Sequence, residues 1–148
     1  MRASWVHVTY DFTAPVEKVF AYLAEHENLE AVFPGTKIRR LSDGTDGQRN
    51  GVGSARELRI GPLLPFVETN TEVVPNEKIV YKITGGVTPL RNHVGIQVFS
   101  PTPSGGTHLD YRIRVSSAIP GITPLVRTGL QKGVAESLPG VDRTLAAT

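Results

Sequence analysis

Polar aromatic side chains stand in phase with apolar ones in two extended segments of this sequence. Tyr81 and Tyr111 each alternate with apolar neighbours, so each phenol is predicted to lie among buried side chains. An enclosed phenolic hydroxyl needs a hydrogen-bond partner, which a neighbouring side chain or the carbonyl or hydroxyl of a bound molecule can supply. Core packing is the simpler interpretation, and orientation of a ligand is the functional one.

An arginine and a glutamate on neighbouring predicted strands form a second candidate site. Arg56 lies in phase with Leu58 and Ile60. If its guanidinium points inward it requires a carboxylate, which either Glu68 or an anionic ligand can supply. The alternation is ambiguous, because the residues of the opposite phase fit the inner side equally well. We therefore favour an exposed or rim position for Arg56 and keep a structural pair with Glu68 as the alternative.

The predicted strand before the last turn of the sheet contributes an amide. Pairing of this strand with the segment that carries Tyr111 places Ile96 on the inner face, and Asn92 shares its phase. A buried amide needs partners, so Asn92 either satisfies backbone groups of the adjoining loop or binds a ligand oxygen. By the same alternation His93 points outward, as do His7 and His108.

Composition excludes several classes of function. The chain has 148 residues, of which 39% are hydrophobic and 20% charged, and this is typical of one globular domain that spans residues 1–148. Its 16 Lys and Arg residues exceed its 14 Asp and Glu residues by only two, so neither nucleic acid nor an anionic membrane is indicated as a partner. It has no cysteine, and its four histidines show no ligand spacing. We expect no metal and no other cofactor.

The N-terminal residues pass directly into a strand pattern, without the features of a signal peptide. The uninterrupted apolar stretches are far too short to cross a bilayer, so stable membrane insertion is not expected. These features favour a cytoplasmic protein. Whether it is a monomer or a homodimer stays open.

Alternation and turn residues define the elements that must position these side chains. Residues 6–12 are predicted to form the first strand, a short amphipathic helix follows Pro15, and residues 28–33 form another helical turn or two. Further extended segments are separated by Gly, Pro and Asn turn signals, as in an antiparallel meander. These segments are residues 36–42, 52–60, 64–74, 78–84, 90–100 and 107–117.

The last segment, residues 124–146, is predicted to be a long amphipathic helix whose apolar stripe includes Leu130 and Val134. Pro139 and Gly140 are expected to kink or break it. One helix must then cover a large curved sheet, and the few bulky side chains leave a space between them. Such spaces are mostly apolar pockets with a few aimed polar groups.

Three segments carry a resemblance to a known family. Residues 8–23 (VTYDFTAPVEKVFAYL), 75–81 (PNEKIVY) and 105–111 (GGTHLDY) resemble recurring segments of the SRPBCC superfamily, which comprises START-like, polyketide cyclase/dehydrase and lipid transport proteins. The resemblance implies an α+β helix-grip fold. In this fold a curved antiparallel sheet of six to seven strands wraps around a long C-terminal helix, with two short helices after the first strand.

The predicted cavity supports two main hypotheses of function. The first is binding or transport of a small hydrophobic molecule, such as a lipid, isoprenoid or polyketide. The alternative is a cyclase-like or aromatase-like enzyme that orients a poly-carbonyl chain, which the absence of an evident buried acid-base pair disfavours. A third is an interaction module whose interior is filled by its own side chains. The candidate cavity residues are Tyr81, Tyr111, Asn92, Arg56, Glu68, Ile96, Leu130 and Val134.

Overall fold

The computed structural model describes residues 4–148, which form seven strands and three helices. The strands are β1 (Ser4–Phe12), β2 (Thr36–Ser42), β3 (Ala55–Ile60), β4 (Phe66–Val74), β5 (Lys78–Gly86), β6 (Val94–Pro101) and β7 (Thr107–Val115). The helices are α1 (Val16–Ala24), a 3₁₀ helix (His26–Ala31) and α2 (Ile122–Ala146).

The strands form one antiparallel sheet in the order β1-β7-β6-β5-β4-β3-β2. Strands β2 to β7 pair with their neighbours in sequence, as the closely spaced turn signals predict. Strand β1 pairs with β7, so α1 and the 3₁₀ helix carry the chain from one edge of the sheet to the other. This arrangement, with the long helix α2 at the end of the chain, is the predicted helix-grip fold.

The fully buried residues of helix α2 lie in its second half. Its buried residues follow one helical stripe and consist of Val134, Leu138, Val141 and Leu145. Asp142 anchors this half to the start of the chain, because its carboxylate accepts hydrogen bonds from the Tyr10 hydroxyl at 3.0 Å and the Thr13 backbone N–H at 3.1 Å. The first half of α2 contains no fully buried residue and lies over a cavity.

The break considered at Pro139 does not occur, since α2 continues from residue 122 to residue 146. A proline within a helix removes one backbone hydrogen bond. The apolar stripe and the Asp142 contacts hold the segments on both sides of Pro139 against the sheet, so the helix tolerates that loss.

The prediction that Ile96 lies on the inner face of β6 is wrong. Gln97 lies opposite Tyr111 and Ile96 lies opposite Arg112, so Ile96 belongs to the outer face with its alternate neighbours. The buried residues of this strand include Gly95, whose missing side chain leaves room for Tyr81. A Cβ atom at Gly95 would overlap the Tyr81 ring. The more hydrophobic face of β6 is therefore not the face that packs inside.

Candidate functional site

A cavity of about 500 Å³ lies between the sheet and the first half of α2. Its wall is mainly apolar and includes Val32, Leu58, Phe66, Ile113, Leu130 and Val134. Leu130 and Val134 are one helical turn apart on α2, which brings both to the same side of the helix. Of the predicted cavity residues, Tyr81, Glu68, Leu130 and Val134 line this space.

Two glycines of α2 line the cavity. Gly129 and Gly133 lie one turn apart and line the cavity together with Lys132 and Glu136. A Cβ atom at Gly129 would meet no atom within 4 Å, and one at Gly133 would meet only Pro34, at 3.8 Å. Glycine within a helix costs about 1 kcal/mol relative to alanine. Both positions therefore have room for a side chain, which at Gly129 would meet no protein atom within 4 Å.

A buried ion pair contributes Glu68 to the cavity wall, whereas its partner Arg56 is not among the lining residues. Arg56 and Glu68 are direct partners in the register of β3 and β4, and their side chains are only 3% and 6% exposed. The Arg56 Nε and Nη2 atoms donate to Glu68 Oε1 at 3.1 and 2.9 Å. The favoured exposed position of Arg56 is therefore wrong and the alternative pair is present. Arg56 is held inside because a carboxylate faces it across the ladder.

The charge state of Glu68 follows from its neighbours. Burial raises the pKa of the Glu68 carboxyl, but Arg56 and His93 together outweigh burial and hold the pKa below its ordinary value. Glu68 is therefore a carboxylate inside the protein. It can accept hydrogen bonds and cannot donate them.

Tyr81 and Tyr111 share one hydrogen bond between their hydroxyl groups, and both side chains are buried. The Arg56 guanidinium carbon lies 4.7 Å from the centroid of the Tyr81 ring, at cation-π distance. Burial raises the pKa of both phenols, so both stay protonated. The two tyrosines connect the ion pair on β3 and β4 to the centre of the sheet. Tyr81 lines the cavity, and Tyr111 lies behind it.

His93 is the functional candidate that the sequence interpretation missed. Its predicted outward position is wrong, because its side chain is 7% exposed, lines the cavity and places Nε2 3.4 Å from Glu68 Oε2. The preceding Asn92 has φ 53° and is exposed, so it neither belongs to β6 nor faces the cavity. A left-handed residue interrupts strand alternation, and asparagine is among the residues that tolerate this conformation. The turn preference of asparagine was therefore the sequence signal that could have indicated a change of phase before His93.

His26 is fully buried outside the cavity wall. Its Nε2 atom lies 3.1 Å from the Ser54 hydroxyl, which also accepts a hydrogen bond from the Asn70 side chain at 3.2 Å. Burial lowers the pKa of His26 to about 3, and the positive charges of Arg56 and Arg40 add to this effect. His26 is therefore a neutral structural residue at physiological pH.

Within residues 4–148, no group of three His, Asp or Glu side chains is arranged to hold a metal ion. Over the same residues, no helix is both long and apolar enough to cross a membrane.

A curved sheet that grips one long helix around an apolar cavity defines a helix-grip protein. The family model described as polyketide cyclase / dehydrase and lipid transport matches residues 5–146, and the chain belongs to this family. The match spans β1 through α2, so it includes every residue of the cavity wall. No curated protein matches the chain.

Solved structures share this fold at low sequence identity. A START superfamily protein from Mycobacterium smegmatis has a TM-score of 0.78 and 18% identity, covering 95% of this chain and 98% of that one. A protein from Thermus thermophilus has a TM-score of 0.76 and 18% identity, covering 97% and 98%. The Zhui aromatase/cyclase from a Streptomyces species has a TM-score of 0.65 and 19% identity, covering 99% and 88%. At these identities the comparisons show that the fold is shared.

Proposed function

We propose that this protein binds a small hydrophobic molecule, such as a lipid, isoprenoid or polyketide, in the cavity between the sheet and α2. The observation that carries the proposal is the mainly apolar wall around about 500 Å³ of space, which includes a few polar groups. Pockets of this size and character bury most of the surface of a drug-sized ligand. The family's description, which names lipid transport beside cyclases, agrees with this assignment.

A bulky side chain in place of Gly129, which lines the cavity, is expected to weaken ligand binding. In Gly129→Phe the new side chain enters space that is empty of protein atoms and competes with the ligand. Because less space is left for the ligand, binding of the neutral apolar probe N-phenyl-1-naphthylamine should weaken about tenfold or more, which corresponds to about 1.4 kcal/mol. A fluorescence titration of the wild type and the variant measures the effect.

Gly140→Phe is the matched control, because Gly140 lies in the same helix but not in the cavity wall. This variant should bind the probe like the wild type. Absence of saturable binding to the wild type, or equal weakening in both variants, contradicts the proposal.

A second candidate function is catalysis on a poly-carbonyl chain in the same cavity. The observation that favours it is the contact between Glu68 and His93, because a histidine oriented by a carboxylate can act as a general base. Of the residues predicted to orient or polarise a carbonyl, Tyr81 lines the cavity, whereas Tyr111, Arg56 and Asn92 do not.

The catalytic candidate is tested with a synthetic diketo thioester as substrate. If His93 acts as the base, the wild type should cyclise the thioester and His93→Gln should lower kcat by about 100-fold or more while it retains probe binding. His108→Gln, on the exposed face of β7, is the control and should leave turnover unchanged. Lack of turnover by the wild type leaves binding as the function.

A further inference from the structure

Large apolar side chains are exposed to solvent at one end of the sheet. Leu63 and Leu64 lie in the loop between β3 and β4, Val87 follows the end of β5, and Ile119 and Leu125 flank the start of α2. Their exposed fractions range from 49% to 72%. We call these five residues the apolar rim. Exposed apolar residues that lie together mark an interaction surface.

Backbone hydrogen bonds hold the three segments of the apolar rim beside one another. The Val87 N–H donates to the Pro65 carbonyl at 3.3 Å, which joins the loop between β3 and β4 to the loop between β5 and β6. The Ala118 N–H donates to the Pro89 carbonyl at 2.9 Å, which joins the second loop to the segment that leads into α2. The apolar rim is therefore one region of the surface.

Each of the three segments also contributes to the cavity wall. Ile60 and Phe66, which lie on either side of the first loop, line the cavity. So do Leu90 in the second loop and Val126, which directly follows Leu125. The apolar rim therefore borders the cavity, and a partner that covers the rim lies next to this space.

The charged residues of these segments are all basic. Residues 59–66, 85–93 and 114–132 contain no Asp or Glu, and their basic residues are Arg59, Arg91, Arg114, Arg127 and Lys132. Among the described residues 4–148, only Arg59 of these five has an ion-pair partner, which is Glu57 at 3.4 Å. The surplus of two basic residues in the whole chain hides this asymmetry, because the rest of the chain has more acidic than basic residues.

This combination of apolar and basic groups fits one class of partner. A bilayer that contains anionic lipids offers negative head groups to the basic side chains and an apolar interior to the aliphatic ones. A second copy of this chain fits less well, because a symmetric contact through the apolar rim would bring like charges together.

From this arrangement we propose that the apolar rim docks on the surface of a membrane that contains anionic lipids. The aliphatic side chains of the rim enter the interface, while Arg91 and Arg127, which are exposed, contact lipid phosphates. The docking is peripheral and involves no spanning segment. It goes beyond the proposed function, because a cavity can bind an apolar ligand in solution without any contact with a bilayer.

Co-sedimentation with lipid vesicles tests the inference. The wild type should bind vesicles of phosphatidylcholine that contain about 30% phosphatidylglycerol, and it should bind pure phosphatidylcholine about tenfold or more weakly. Binding to the anionic vesicles should weaken at high salt, because salt screens the attraction between exposed charges.

The apolar part of the surface is tested with Leu63→Ser/Leu64→Ser. This variant should bind anionic vesicles about tenfold or more weakly, because it removes apolar area that enters the interface. Leu41→Ser/Val52→Ser is the matched control, since Leu41 and Val52 are 43% and 40% exposed at the opposite end of the sheet. The control should bind the vesicles like the wild type.

The basic part is tested with Arg91→Gln/Arg127→Gln, which should also bind anionic vesicles about tenfold or more weakly. Arg49→Gln/Lys78→Gln is the control, because it has the same net charge but changes exposed side chains at the opposite end of the sheet. It should retain most of the vesicle binding.

No vesicle binding by the wild type, equal binding to neutral and anionic vesicles, or equal weakening in rim and control variants overturns the inference. A dimer in sedimentation velocity that Leu63→Ser/Leu64→Ser dissociates would assign the rim to a second copy and overturn it as well. Titration with N-phenyl-1-naphthylamine keeps the two proposals apart. Saturable probe binding without vesicle binding rejects only the docking surface, whereas vesicle binding without probe binding rejects only the cavity function.

Discussion

Replacement of Arg56 by methionine is expected to lower the free energy of unfolding by about 3 to 5 kcal/mol. The variant leaves the Glu68 carboxylate, which is 4% exposed as a residue, inside the protein without its guanidinium partner. It also removes the guanidinium from the Tyr81 ring. Urea denaturation followed by circular dichroism measures the change, provided that the m-value stays constant.

An exposed ion pair between β2 and β3 offers a matched control. Arg39 pairs with Glu57 at 3.2 Å, but the Arg39 side chain is 68% exposed. Arg39→Met should therefore cost less than about 1 kcal/mol. The double variant Arg56→Met/Glu68→Leu should recover most of the stability lost in Arg56→Met, because it removes both charges. A similar small loss for Arg56→Met and Arg39→Met would show that burial does not set the strength of the inner pair.

The stability of the protein is expected to fall as the pH decreases below about 6.5, because of His26. The native state holds the pKa of this residue at about 3, whereas the unfolded chain takes up a proton near the ordinary value of 6.5. A pKa that is lower in the folded state means that the unfolded state binds more protons between these two values. The contribution of His26 to the free energy of unfolding is therefore complete above about pH 6.5. It decreases on acidification and is smaller by about 2 kcal/mol at about pH 5.

Comparison with His26→Gln isolates this contribution from the other titrating groups. The free energy of unfolding of the variant should depend less steeply on pH between about 7 and 5 than that of the wild type. His7→Gln serves as the control, since the His7 side chain is 47% exposed in the native state. Its pH slope should resemble that of the wild type, and parallel slopes for the wild type and His26→Gln would contradict the assignment.

The order of elements could be predicted because it depends on local signals. Turn residues and alternation predicted β2 at residues 36–42, as observed, and placed Pro15 directly before α1. The inner face of β7 also followed from alternation, since Leu109 and Tyr111 are buried. These features need only the period of a strand and the restricted geometry of proline.

The polar wall could not be predicted from one strand at a time. The face of β6 is decided by the space that Gly95 leaves for Tyr81, and the position of Arg56 is decided by Glu68 on the next strand. The position of His93 depends on the left-handed backbone of Asn92. The first two features depend on a pair of residues and the third on a backbone angle. The hydrophobic alternation of a single strand gives no information about either.

The two halves of α2 differ in how freely their residues can be substituted. The fully buried residues of the helix begin at Val134, whereas Gly129 and Leu130 contribute to the cavity and are not fully buried. Substitutions in the first half can therefore reshape the cavity without loss of the core contacts that keep the chain folded. A new ligand can be accommodated through such changes while the second half keeps its buried stripe and the contact between Asp142 and Tyr10.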